Sequence, residues 1–287
     1  MNLPLLAQRL FNTPLALHPL KAEVVMAALS ERFGITRINS PAMMWDDDDR
    51  ESFSRKARDR DPGYDKAGPV AVISIEGTLV QKSGRLRPYS GMTGYDGIRQ
   101  AFMAALNDDS VKAILLNIDS PGGEVAGCFD LADFIYRARG TKPVWSVLNE
   151  SAYSAAYAIA SAADRIVVPR TGGVGSIGVI VMHVDWTQKI KDDGLSVSII
   201  RFGDRKAESN PYQKLSEQAR AAIQQDVDTM GALFVSTVAR NRGLSEKAIR
   251  ATQAATFIAA EGVELGLADA VASPDAAFLE LIDLTGE

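Results

Sequence analysis

Between Ile114 and Gly123 the chain reads ILLNIDSPGG. A buried strand ends at Asp119, and Ser120-Pro121-Gly122-Gly123 turns the backbone directly into a helix. Two glycines permit positive φ and let a ligand meet the backbone with no Cβ in the way. The N–H groups of Gly122 and Gly123 lie near a helix start, where the dipole favours developing negative charge. That is the makeup of an oxyanion hole, although SPGG alone reads equally well as a plain strand-to-helix turn. Further on, NESAYSAAYAIASAADRIVVP sets Ser154 in the first turn of an Ala-rich helix, after a strand that ends near Glu150. There it faces the crevice at the carboxyl ends of the strands, the usual place for sites in open α/β sheets. A serine at such a position is, by itself, more often an N-cap than a nucleophile, and Ser151 and Ser161 are read that way. Ser154 is set apart by its company, with SPGG before it and a second glycine-rich run, GGVGSIGV, after it.

The elements that must hold these residues are legible from Pro69 onward. PVAVISIEG, a helical pattern near Tyr95 to Leu106 and KAILLNID are followed by a helix near Glu124 to Arg139. Then come PVWSVLNE, the alanine-rich segment, RIVVP, GSIGVIVMHVD, a short helix and SVSIIR. Strands alternating with helices indicate stacked βαβ units around a mostly parallel, mostly buried sheet. Ile223, Val227, Met230, Phe234 and Val238 form a stripe at helical spacing, with Gly243 just past its end.

Residues 1–66 have a different texture and are read as an extension separate from a domain over 67–287. Pro19 opens a short helix through Leu20, Val24, Ala28 and Leu29, stopped by Gly34. WDDDDRESFSRKARDRDPGYDKAG, from Trp45 to Gly68, is charged and nearly free of aliphatics, which predicts a linker.

Composition narrows the function classes. Of 287 residues, 46% are apolar and 23% charged, as in soluble domains with a sizeable core. A net charge of −5 argues against a general nucleic-acid binder. The single cysteine, Cys128, and the two histidines, His18 and His183, leave no disulfide and no multi-histidine metal site. No cofactor is expected. No stretch reaches the roughly 20 apolar residues that span a bilayer. The opening MNLPLLAQRLFNTPLALHPLK has its one early charge, Arg9, inside the apolar run, a poor secretion signal. A cytoplasmic protein without a membrane anchor is therefore expected.

SPGG, then Ser154 in AYSAAYAIASAAD, then GSIGV, resembles the signal peptide peptidase A family of Ser-Lys peptidases, of the ClpP/crotonase fold. More narrowly it resembles the phage branch that matures viral proheads, which the opening NTPLALHP also suits. FGDRKAESNPYQKLS is similar to that branch's lysine motif and puts the catalytic lysine on Lys206, while FIAAEGVELGLADAV resembles the fold's closing helix-turn-strand. The similarity runs from about Pro69 to Ala272. It implies Ser154 as nucleophile and an oxyanion hole of Gly122, Gly123 and Ala155. It departs in one respect: many relatives carry glycines directly after the nucleophile, where this chain has Ala155-Ala156.

A serine hydroxyl needs a neighbouring base. A lysine serves only as a neutral amine, so its pKa must fall from about 10.4 by several units, as burial in an apolar crevice can achieve. The rival base is His183, which precedes Asp185 and needs no large shift; a Ser-His-Asp order resembles ClpP itself. The substrate implied is an extended polypeptide added as a strand beside the glycine-rich runs. Its wall would be Gly172, Gly173, Val174, Gly175, Ser176 and Ile177. Capsid or scaffold proteins, cut in the host cytoplasm or within assembling proheads, follow from the phage resemblance, as does a homo-oligomer from the fold. The alternatives are a housekeeping oligopeptidase, an acyl-CoA enzyme of the crotonase type, and an idle capsid component. The acyl-CoA reading lacks its carboxylate pair at the helix start where Ser154 sits.

Overall fold

Uninterrupted apolar runs define the centre of the molecule. The computed structural model describes residues 12–18 and 61–286. Within them β3 (Val70–Glu76), β6 (Ala113–Ser120) and β8 (Val144–Tyr153) lie parallel, with β6 in the middle. On one face Ile73, Ile75, Ile114, Leu116 and Ile118 share a core with three helices: α1 (Tyr95–Asn107), α2 (Cys128–Arg137) and α3 (Ala155–Ser161). On the other, Val70, Ala113, Leu115, Trp145 and Val147 pack on Ala277 and Leu281 of α6 (Pro274–Asp283). Burial on both faces is why these strands read as continuous hydrophobic stretches.

β8 forks at its end. Trp145–Val147 pair with β9 (Arg165–Val168), which takes β12 (Ala270–Val271) beside it. Ser151–Tyr153 pair instead with β10 (Gly173–Gly175), which takes β11 (Thr256–Ile258). Between the two halves the register against β6 slips: Leu148 faces Ile118, but Ala152 faces Ser120, and Glu150 sits at φ 136°. This irregularity carries the strand on past the Glu150 end expected from sequence. It brings Tyr153 and Ser154 level with the SPGG turn.

A smaller sheet stands against this one, in the order β1 (Leu15–Leu17), β7 (Gly122–Glu124), β4 (Thr78–Val80), β5 (Met92–Gly94). SPGG therefore leads into a strand, and α2 begins later than expected, behind Gly127 at φ 84°. Toward the C-terminus α5 (Glu217–Arg242) is capped by Ser216, whose hydroxyl accepts the Ala219 N–H, and closed by Gly243 at φ 66°. Phe234 and Val238 of its stripe are buried, while Ile223, Val227 and Met230 are half-buried.

The α/β class with a mostly parallel sheet is as expected; several details differ. β1 lies inside the fold, although residues 1–66 read as a separate extension. The end of the charged stretch is also ordered. β2 (Asp65–Ala67) pairs with β3, Tyr64 is buried with its hydroxyl donating to Asp108 at 2.7 Å, and Arg87 bridges Asp61 and Asp65. SVSIIR forms no strand, since nothing pairs with it among the described residues. The helix expected around Leu20 to Leu29 and most of the linker lie outside the described residues.

Candidate active site

Ser154 stands between the last residue of β8 and the first of α3, at φ 55° and ψ −121°. A non-glycine residue held there costs on the order of 1–3 kcal/mol, so the surroundings must over-determine it. They do: the Ser154 N–H donates to the Gly175 carbonyl at 2.9 Å, and its carbonyl accepts the Ala158 N–H at 3.0 Å. Every residue of α3 is buried, and its alanines let it sit close beneath the sheet. Arg139 clamps the far end, donating to the carbonyls of Ser161 at 3.0 Å and Ala162 at 2.9 Å. Small residues also flank the serine two positions either side, Ala152 and Ala156, both fully buried. Ser154 is thus held at a strand–turn–helix elbow of the kind that presents nucleophiles. Its side chain is 1% exposed, and Oγ is buried with no hydrogen-bond partner among the described residues.

Gly122 packs directly against it. At φ 100°, a Cβ on Gly122 would lie 3.0 Å from the Ser154 Cβ and would overlap the Ala16 carbonyl oxygen. Only glycine allows that approach. Gly123 is fixed likewise by the Leu79 carbonyl. The Gly122 N–H points at Ser120 Oγ, 3.2 Å away, and Ser120 Oγ in turn donates to the Gly77 carbonyl at 2.6 Å. The structure therefore brings together Ser154, Ala155, Gly122 and Gly123.

The expected wall is closed, all six of its residues being buried. β10 is paired on both edges, with β8 and with β11, so a further strand finds no free backbone at Gly173–Gly175. This corrects the expectation of strand addition there. Gly172 and Gly173 instead leave room for the Glu150 carbonyl and the Tyr153 hydroxyl, Val174 is core, and Ser176 and Ile177 are buried beyond the strand end.

The candidate bases stand apart from the serine. His183 Nδ1 lies 2.9 Å from Asn12 Oδ1, which can only accept, and its buried Nε2 has no partner among the described residues. Asp185 is engaged elsewhere. It accepts the Thr187 N–H at 2.8 Å, ahead of α4 (Thr187–Asp192), and the Thr187 hydrogen bonds hold its carboxyl below the usual range. A Ser-His-Asp chain is not assembled. Lys206 lies on a 3-10 turn, Asp204–Ala207, exposed at the edge of an open cleft of about 650 Å³ lined also by Val197, Ile200 and Tyr212. Arg205 pairs with Glu208 at 3.0 Å, and Asn210 closes the turn by accepting the Tyr212 N–H at 2.9 Å. Ser154 Oγ has no hydrogen-bond partner, so Lys206 does not touch it in this arrangement.

Sequence reasoning passed over three neighbours. His18 stacks on Tyr153, ring centroids 5.1 Å apart, and Ala16 sits over Gly122. Asp119 lines a cleft of about 500 Å³ with Glu76, Asn117 and Asn149, and burial raises its carboxyl, Glu150 adding to the effect. Its place at the end of β6 was the available signal; the other two needed the long-range pairing of β1. Cys128 is no competing nucleophile, because burial pushes its thiol up to about 12. Among the described residues no group of three or more metal-ligating side chains occurs, and no helix is long and apolar enough to cross a membrane.

Residues 137–286 match the family described as Peptidase family S49. Over 93% of its length the chain is 39% identical to the head-tail preconnector protein GP5 of Enterobacteria phage P21, covering 55% of that protein. It is 37% identical, again over 93% of its length, to the capsid assembly protease C of Escherichia phage lambda, of which it covers 63%. The chain thus spans less than two thirds of either relative. A mutant of a membrane-bound stomatin-specific protease aligns over 74% of this chain and 83% of its own, with a TM-score of 0.48 and 16% identity.

Proposed function

This chain belongs to peptidase family S49, and from that premise we propose that it is a serine endopeptidase with Ser154 as nucleophile and Lys206 as general base. The observation that carries the reading is the strained Ser154 at φ 55°, its Oγ unpartnered and its Cβ against Gly122. Oγ attacks the peptide carbonyl as its proton passes to the lysine amine. The resulting oxyanion is held by backbone N–H groups of Gly122, Gly123 and Ala155. The leaving amine then takes the proton, and water hydrolyses the acyl-enzyme.

Lys206 is favoured over His183 because Asp185 is committed to Thr187 and His183 to Asn12. A lysine base must be shielded from water to stay neutral, and here the segment before it leaves Ile200 98% and Phe202 100% exposed. Covering those side chains in a homo-oligomer would dry the same surface. The setting we favour is capsid maturation in a phage or prophage, with capsid or scaffold proteins as substrates in the host cytoplasm. This rests on the two phage relatives.

The test is casein and peptide cleavage by Ser154→Ala, which should fall to background with the fold intact. Ser151→Ala and Ser161→Ala should keep most activity. Full activity in Ser154→Ala moves the nucleophile elsewhere.

A further inference from the structure

The segment from Asn12 to His18 runs through the site as a strand paired on both sides. On one side β1 is antiparallel to β7, with Leu17 opposite Gly122, Ala16 opposite Gly123 and Leu15 opposite Glu124. The His18 N–H donates to the Pro121 carbonyl at 2.9 Å, and the Val125 N–H to the Pro14 carbonyl at 3.3 Å. Bonded pairs alternate in an antiparallel ladder, so Ala16 and Gly123 form the bonded pair between them. The Gly123 N–H, one of the expected oxyanion donors, therefore faces a carbonyl of the chain itself. On the other side Leu15 and Ile180 exchange both backbone bonds at 2.9 Å, and the Asn12 N–H donates to the Met182 carbonyl at 3.0 Å.

The same segment touches several residues around the candidate site. The Ala16 carbonyl presses on Gly122, on whose near side lies the Ser154 Cβ. His18 stacks on Tyr153. Asn12 meets His183 through Oδ1 at 2.9 Å, and its Nδ2 donates at 3.0 Å to the carbonyl of Ser209, in the turn after Lys206. Ser154 is 1% exposed in this arrangement. A nucleophile in that state meets no external carbonyl.

We propose that Asn12–His18 is a built-in occupant of the peptide-binding groove, which must leave before a polypeptide can lie between β7 and Ile180–Met182. This rests on the serine peptidase reading and adds the regulation and side-chain preference of the same site. Strand addition takes affinity from main-chain bonds and selectivity from alternate side chains. Leu15 and Leu17 turn toward Ile180 and Met182, whereas Ala16 turns into the main core at 0% exposure. The groove thus takes peptides with a small residue between two aliphatic ones. A tethered occupant competes at millimolar effective concentration, so activity on free peptides is held down.

The test locks the strand in place in the full chain. Leu15→Cys with Ile180→Cys puts two thiols on a bonded antiparallel pair, whose Cα spacing of about 5.5 Å a disulfide spans. Oxidised and reduced forms are compared in fluorophosphonate labelling of Ser154, and in binding of a fluorescein-labelled peptide of sequence NTPLALHP. Oxidation should cut both by roughly 100-fold or more, and reduction should restore them. Equal labelling and equal peptide binding in both forms overturn the occupant and leave the peptidase standing. Peptide binding that needs reduction, with no labelling in either form, keeps the occupant and removes the peptidase. Cleavage within residues 12–18, seen by mass spectrometry as a new N-terminus, makes the segment a substrate and overturns the inhibitory role.

Discussion

The two halves of the proposed dyad stand on very different ground. Ser154 is held by β8, α3 and the SPGG turn, where Ala155, Ala156, Tyr157, Ile118 and Ala152 are all fully buried. Lys206 sits on a single 3-10 turn behind Leu195, Val197, Ile200 and Phe202, all exposed. Burying a large aliphatic or aromatic side chain stabilises a fold by about 1.5–3 kcal/mol. The first region collects that many times over; the second forgoes it. The proposed nucleophile is thus placed by the single chain's core, while the proposed base sits on a surface that the single chain leaves open.

The sharpest way to break this contrast is to substitute the bases. Lys206→Arg keeps the charge but cannot accept a proton, and should lose about 10³-fold or more in kcat/KM. His183→Gln should lose no more than about tenfold if, as proposed, the ring is not the base and serves through its contact with Asn12. A dead His183→Gln beside an active Lys206→Arg assigns the base to the histidine. Next in size is Gly122→Ala. The added methyl meets the Ser154 Cβ and alanine is strained at φ 100°, so the Gly122 N–H is displaced and peptide turnover should fall about 10²-fold, as for loss of an oxyanion donor. Turnover near the parent's level would mean the turn plays no part.

Phe202→Ser probes the other region. With the ring 100% exposed, the single chain's melting temperature should not change, while sedimentation should show loss of assembly and activity should drop with it. An unchanged assembly state would remove this surface from the interface. The smallest effect is at Asp119. Burial raises its carboxyl, so the folded state disfavours the carboxylate. The group's stabilising share is full below the ordinary value near 4 and is lost as pH rises through the raised one. Asp119→Asn should therefore melt slightly higher than the parent at pH 7 and show no advantage near pH 3; the reverse order contradicts the sign.

The same contrast decides what was legible in the sequence. β6, β8 and α1 announce themselves because burial on two faces, or on one stripe, leaves a periodic record. Gly243 marks the end of α5 because only a left-handed residue closes that helix. Ser154 was found because it lies where the chain switches from strand to helix, and SPGG because its glycines follow a buried strand, although they lead into β7 and not into a helix. The β1 pairing was not legible, since Leu-Ala-Leu carries no sign of a partner as distant as Gly122–Glu124. The Asp65–Ala67 strand was hidden by its charges, which are met from distant loops: Arg87 pairs with Asp65, and Lys66 donates to the Ser110 hydroxyl. SVSIIR alternates like a strand, yet periodicity records a face to be buried and not what buries it.

The most direct measurement is the site of covalent capture. Native protein is held with a fluorophosphonate until labelling is complete, digested, and the adduct mapped by tandem mass spectrometry. A single adduct on Ser154, absent from Ser154→Ala, is the predicted result. An adduct on Ser151, Ser161 or Ser176, or peptide cleavage by protein that carries no adduct at Ser154, would contradict it.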